Sequence, residues 1–252
     1  LLYSLLKLAK ERSRKYILYS SLALALLILS HHVLAILFAP ILLLFLYFVN
    51  KIGKPENFQK IIFSLSLGLG LSAFFWLPSF VESGLTRAPL LESLIFQSYK
   101  GYFLPLNELI NRPWGYEGFS LTAPGAMSFE IGKLHLLLVF FSVYIIFKIA
   151  EKKISKILLF SLIAFLISIF MVTHYSQKIW ETIPYFIYTH FPWRYLVLSA
   201  FFASILAGST TLLFRKTGLR VIYAAIVIAA LFLLEGYKFN PRNMNHDYKI
   251  EM

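Results

Sequence analysis

The sequence predicts an all-α fold, a polytopic bundle of about seven transmembrane helices with one long extracytoplasmic loop. Three observations carry this. Of the 252 residues, 59% are hydrophobic and only 14% charged, whereas a soluble domain carries about a quarter charged residues. A mean hydropathy of +0.72 over the whole length is too high for the apolar residues to form one folded core. The net charge of +12 sits at the ends of apolar runs rather than in one patch, so membrane placement explains it and nucleic acid does not. There is no cysteine, hence no thiolate chemistry and no disulfide framework. A soluble enzyme, a disordered tail and a disulfide-stapled secreted module are excluded.

Taken in order, residues 1–16 place Leu2, Leu5, Leu6 and Ala9 among Lys7, Lys10, Arg12, Arg14 and Lys15. A signal peptide puts its charges first, so this reads as an amphipathic helix at the membrane surface, or as the continuation of a span lying upstream. Seven apolar segments follow, at 16–30, 33–49, 61–81, 134–147, 157–173, 195–214 and 219–234. A bilayer core needs roughly 20 helical residues, with about 17 as a lower limit, and several segments lie at or below that. Residues 16–49 are too long for one perpendicular span and barely enough for two. They form either two spans turning at His31-His32 or one broken helix.

Charge placement favours two spans. One face then receives Lys7, Lys10, Arg12, Arg14 and Lys15; Lys51, Lys54 and Lys60; Lys148, Lys152, Lys153 and Lys156; and Arg215, Lys216 and Arg220. The opposite face holds nine basic residues spread over much longer loops. The positive-inside rule makes the first face cytoplasmic. The expected topology is a multi-pass protein of the plasma membrane, amino terminus inside and carboxyl terminus outside. All six histidines, all four tryptophans and nine of the twelve acids then fall on the outer side. Any site is expected there.

Residues 82–133 form an outer loop long enough to be functional, with a helix expected at 89–98 and turns at Pro105, Pro113 and Pro124. The chain reads as a single transmembrane domain over 1–252, with 236–252 as the start of a truncated outer domain.

Several constellations each carry two readings. His31-His32 is either a polar floor to an outer cavity or a wetted helix corner. Adjacent histidines point about 100° apart on a helix, so they are not a chelating pair. In Phe191-Pro192-Trp193-Arg194-Tyr195, proline suits a first helical turn and Arg194 suits a bidentate phosphate contact. The alternative is an aromatic belt beside a snorkelling arginine. Glu82 follows Pro78, and either projects into a cavity from a proline kink or is an ordinary solvated carboxylate. Ser64, Gly68 and Ser72 recur every four residues, as do Ala200, Ser204 and Gly208, which close helix packing explains. Trp114 with Glu117, and Met127-Ser128-Phe129-Glu130, set aromatics beside carboxylates, as sugar platforms and membrane-packed loops both do. No P-loop, HExxH, GxSxG or dinucleotide fingerprint stands in the right context.

Ser30-His31-His32 with Pro40, Ser72-Ala73-Phe74-Phe75-Trp76-Leu77-Pro78 with Glu82, Trp114-Gly115-Tyr116, Met127-Ser128-Phe129 before Gly132, and Pro192-Trp193-Arg194-Tyr195-Leu196 stand in a familiar order. Over most of its length the chain resembles large bacterial and archaeal membrane proteins catalogued as "6-pyruvoyl-tetrahydropterin synthase-related", a label that implies no pterin chemistry here. Those proteins resemble in turn the GT-C glycosyltransferases, which transfer a sugar from a polyprenyl-phosphate carrier at the outer face. The resemblance implies a cavity lined by His31, His32, Trp114, Trp193 and Arg194. Arg194 would be the lipid-phosphate ligand, and Glu82 or Glu130 a candidate base. It departs from this chain in one respect. GT-C enzymes carry an acid in their first outer loop, which would precede Leu1, and the only aspartate here is Asp247. The chain therefore reads as an internal fragment. No metal ligand set and no cofactor are read from it, although a divalent metal is compatible with the longer protein.

Two other function classes compete. A transporter or flippase would use broken helices at His31-His32 and Pro40 for midplane binding, but the ionisable residues lie at span ends. A non-catalytic scaffold for envelope assembly is the third. The expected partners are the lipid bilayer and a polyprenyl-phosphate-linked sugar, with no nucleic acid.

Overall fold

The computed structural model describes residues 1–11, 13–52, 55–87, 90, 99–112, 115 and 126–239. Among these residues the fold is all-helical, with no strand. The α-helices are α1 (Leu2–Lys10), α2 (Lys15–Ser30), α3 (His32–Ile52), α4 (Pro55–Leu71), α5 (Ala73–Glu82), α6 (Lys133–Tyr144), α7 (Lys152–Val172), α8 (Gln177–Thr182), α9 (Leu196–Ser209) and α10 (Thr217–Glu235). Short 3-10 turns join several of them, and α6 runs on into a π-helical turn at Ile145–Ile149.

Each of the seven apolar segments is helical. Four stretches are long and apolar enough to cross a membrane: His32–Asn50, Lys152–Val172, Pro192–Leu213 and Thr217–Glu235. The pair α4 and α5, bent by 68°, makes a fifth if it counts as one span, and α2 is apolar but shorter. The exposed surface agrees: Leu43, Phe140 and Leu233 are 68%, 72% and 84% exposed. Such patches are untenable in water and cost nothing in hydrocarbon. The chain is a multi-span membrane protein.

The residues divide into two compact units, Leu1–Phe103 with Ile163–Ser199, and Leu104–Leu162 with Ala200–Met252. In the first, α1 buries Leu5, Leu8 and Ala9. Ser20 Oγ donates to Ser4 Oγ at 3.0 Å, and Asn57 Nδ2 donates to the Ala9 carbonyl at 3.2 Å. The apolar stripe of α1 is thus closed by α2 and α4. A stripe of this kind fits protein and bilayer equally, so its pattern alone cannot choose.

The α2–α4 contact is the tightest in this unit. Ser21 Oγ donates to the Ser64 carbonyl at 2.9 Å, and a Cβ added at Gly68 would stand 2.8 Å from the Ser21 carbonyl oxygen. The first small-residue row is therefore a close-packing face. Among the described residues the second has no such neighbour: Ala200, Ser204 and Gly208 are exposed, and no described atom lies within 4 Å of a Cβ at Gly208.

The α4–α5 break falls between Leu71 and Ala73, six residues before Pro78. Ser72 Oγ is within 3.1 Å of both the Gly68 and Leu69 carbonyl oxygens, and Trp76 Nε1 donates to Leu69 O at 3.0 Å. These donors satisfy carbonyls that an ended helix leaves open. The sequence expectation of a proline kink beside Glu82 is corrected accordingly.

In α3 the interior Pro40 has no N–H to offer the Ile36 carbonyl. The Tyr185 hydroxyl donates to that carbonyl instead. Nearby, the fully buried Trp180 ring meets Tyr99, Phe103, Phe186 and Tyr195, with centroids 5.1 to 6.1 Å away.

In the second unit, part of the expected outer loop folds back on itself. Ile131 N–H donates to Leu109 O at 3.0 Å, Ser128 Oγ to Arg112 O at 3.1 Å, and Lys133 Nζ to Asn111 Oδ1 at 3.0 Å. Buried Arg112 pairs with Glu108 at 2.5 Å. Gly132 precedes α6 at φ +96°, a left-handed conformation that L side chains rarely adopt. Phe160 of α7 and Phe202 of α9 meet edge to face at 5.9 Å. Helix α10 buries none of its own residues.

Candidate functional site

The residues expected to form a site do not all converge. Arg194 lies in a 3-10 turn, Pro192–Tyr195, that leads into α9, with Pro192 in the first turn where its missing N–H does no harm. Arg194 Nη1 donates to the Thr189 carbonyl at 3.2 Å and meets His190 Nδ1 at 3.2 Å. A guanidinium only donates, so Nδ1 accepts and the ring proton of His190 sits on Nε2. His190 reaches this position at φ +63°, in the left-handed region that histidine tolerates better than most residues.

Phe191 gathers the neighbouring rings. Trp193 is parallel to it at 5.9 Å, the Arg194 guanidinium carbon stands 5.1 Å from its centroid, and Tyr102 is 4.6 Å away. Arg194 is half-buried, and among the described residues it has no carboxylate partner. Its Nε and Nη2 donors are likewise without a partner among them. A partly desolvated cation held by a carbonyl, an imidazole and an aromatic face, with two donor groups to spare, is chemically an anion receptor.

The other expected residues stand elsewhere. His31 and His32 form the corner between α2 and α3 and are exposed. His31 Nδ1 accepts the Leu34 N–H at 3.3 Å, capping α3, and the two rings stack at 6.1 Å. His32 also lies 6.1 Å from the Phe75 ring. Glu82 ends α5, exposed, with no side-chain hydrogen bond or ion pair among the described residues. Glu130 is half-buried, its backbone N–H donating to Ser128 Oγ at 3.3 Å. Trp114, Glu117 and the helix expected at 89–98 lie outside the described residues. Arg194 and Trp193 are therefore brought together over Phe191. No hydrogen bond, ion pair or ring contact joins His31, His32 or Glu82 to them among the described residues.

No family model, no curated protein and no solved structure matches the chain.

Three features escaped the sequence reading. Tyr185 is one, although a proline inside a span signals a carbonyl in need of a donor four residues back. His190 is another; its four-residue spacing from Arg194 is the only sign. The third is Glu235, which pairs with Lys238 and lies with His135 around Gly132. There the buried Nδ1 of His135 has no hydrogen-bond partner among the described residues. On the surface beside Trp180, Glu181 is held below the usual carboxylate range by the Gln177 amide and by Lys100, whose ammonium is 2.7 Å away. Among the described residues no three His, Asp or Glu side chains gather as a metal site.

Proposed function

We propose that this chain belongs to a GT-C-like glycosyltransferase of the cell envelope, using a polyprenyl-phosphate-linked sugar at the outer face of the plasma membrane. All seven apolar helices cross the bilayer in this reading, with the amino terminus cytoplasmic and residues 82–133 outside. The observation that supports it best is Arg194, a half-buried guanidinium with donors to spare and no described carboxylate. It lies at the outer end of a span, where a lipid phosphate would arrive.

In the transfer, the bond between the anomeric carbon and the carrier phosphate breaks. A bond forms from that carbon to an acceptor hydroxyl, whose proton passes to a carboxylate. Arg194 holds the departing phosphate and stabilises its growing charge. Trp193 offers an aromatic edge to the sugar or the first isoprene unit. In this reading Glu82 or Glu130 is the candidate base, and His31, His32 and Trp114 remain candidate substrate contacts.

The test is incorporation of radiolabelled sugar from a polyprenyl-phosphate donor into envelope polymer, comparing membranes with and without the full-length protein. Dependence of incorporation on the protein is expected. Equal incorporation in both removes the glycosyltransferase reading.

A further inference from the structure

The second unit has a basic cavity of about 620 Å³, within the usual range of about 300–1,000 Å³ for a small-molecule site. Two separate turns build it. The first follows the π-helical turn at Ile145–Ile149, where Ala150 N–H donates to Ile145 O at 2.8 Å and Ser155 Oγ donates to Ile146 O at 2.7 Å. Such π turns recur at functional sites because they displace side chains from helical register. The second turn joins α9 to α10, and from the first turn of α10 Arg220 Nε donates back to Phe214 O in it at 2.8 Å.

Lys148 from one turn, and Arg215 and Arg220 from the other, line the same cavity. Among the described residues none of the three has an ion-pair partner, although Glu151 lines the cavity with them. Anchoring through Nε leaves both terminal amino groups of Arg220 for a ligand. The remaining wall includes Ile154 and Leu213. Cations at span ends follow from the positive-inside rule. That rule does not require them to converge on one cavity, nor an apolar wall beside them.

We infer that this cavity binds a phosphate ester, the headgroup of an anionic membrane lipid. Lys148, Arg215 and Arg220 take the phosphate oxygens, the first part of the acyl region lies on Ile154 and Leu213, and Glu151 accepts from a headgroup hydroxyl. Basic pockets between helices on a cytoplasmic face are suited to such headgroups. Free phosphate shares the anionic chemistry but makes no use of the apolar wall.

The test is equilibrium binding to the purified full chain in neutral detergent. The probes are dioctanoyl phosphatidylglycerol, dioctanoyl phosphatidylcholine and inorganic phosphate. The variant Lys148→Gln with Arg215→Gln suits the purpose, because both side chains are exposed and unpaired among the described residues, so the fold does not depend on them. Phosphatidylglycerol should bind saturably, with Kd raised about tenfold or more in the double variant, as expected for loss of charge-assisted hydrogen bonds. Glu151→Gln should bind at least as tightly as the native chain, and Lys15→Gln, in another basic cluster, should leave Kd unchanged. Inorganic phosphate binding as tightly as the lipid, with the same sensitivity to the double variant, would keep the anion site and make free phosphate its source. An unchanged Kd in the double variant, or equal binding of phosphatidylcholine, overturns the proposal.

Discussion

Tyr185 supplies to Ile36 the hydrogen bond that Pro40 cannot make. Ile36 is the residue four positions before the proline, and its carbonyl accepts the Tyr185 hydroxyl across the fold. A helix in hydrocarbon must satisfy every carbonyl, so a donor from another segment is what lets a proline stay inside α3. Tyr185→Phe should destabilise the protein by about 1 kcal/mol, the low end of the cost of stranding an acceptor, because the bond is part-buried. Pro40→Ala restores an N–H to the helix, so in that background the Tyr185→Phe cost should shrink towards zero. Unfolding of the four proteins in mixed detergent micelles measures the coupling. Equal costs in both backgrounds would mean that the hydroxyl serves some other purpose.

The same hydroxyl has a pH signature. Burial pushes the Tyr185 pKa from 10.0 up to about 12. The folded state therefore holds its proton more tightly than the unfolded chain does. The stability this contributes is whole below the unfolded value and is lost as pH rises towards the folded one. Difference titration of tyrosinate absorbance between the native chain and Tyr185→Phe should show one late-ionising tyrosine. Ionisation with the exposed tyrosines would contradict the burial.

At Gly68 the prediction concerns sterics. An alanine Cβ there would stand 2.8 Å from the Ser21 carbonyl oxygen, a backbone atom that moves only if α2 does. Gly68→Ala should cost about 1–3 kcal/mol, as overpacking does. Gly70→Ala, with nothing among the described residues within 4 Å, should be neutral or slightly stabilising because alanine is the better helix former. Ser21→Ala should cost about 0.6 kcal/mol, the average for a hydrogen bond between membrane helices. Comparable stability of Gly68→Ala and Gly70→Ala would show that α2 and α4 are not in close contact.

What was legible in the sequence follows from what periodicity and charge encode. The seven apolar segments became helices because runs of Leu, Ile, Phe and Val have no other low-energy form in a membrane. Partner choice was not legible. Ser64-Gly68-Ser72 and Ala200-Ser204-Gly208 have the same spacing, but among the described residues only the first meets a neighbour, Ser21 and Leu24. The position of the bend was hidden because Pro78 is tolerated within α5, while a serine hydroxyl and an indole N–H end α4 six residues earlier. At the candidate site, Trp193 and Arg194 were visible as an aromatic-basic turn. The Thr189 carbonyl and the His190 ring that orient Arg194 depend on a positive φ at His190, which residue type alone does not dictate.

The membrane orientation has its own test. The chain contains no cysteine, so a single introduced one reports without background. Tyr175→Cys and Leu85→Cys, both at exposed positions, should react with an impermeant thiol reagent in intact cells. Lys153→Cys, exposed before α7, should react only after the cells are opened. The reverse pattern would place the charge-rich turns outside and Arg194 at the cytoplasmic face.

Arg194 is where the proposed function meets a single side chain. Its Nη1 is committed to Thr189 O and His190 Nδ1, so the planar fork already points Nε and Nη2 at one region. An ammonium keeps the charge but has no fork, and it cannot hold two oriented contacts and an anion in one plane. If a lipid phosphate binds there, Arg194→Lys should lower sugar incorporation about tenfold, and Arg194→Ala about a hundredfold. Those figures correspond to one or two lost charge-assisted hydrogen bonds. Both variants should reach normal abundance in the membrane, because Phe191, Trp193 and Tyr102 pack around the turn through their rings. Should Arg194 merely anchor the start of α9 at the interface, lysine would snorkel as well as arginine and keep full activity. Equal incorporation by Arg194→Lys and the native protein would therefore remove Arg194 from the site.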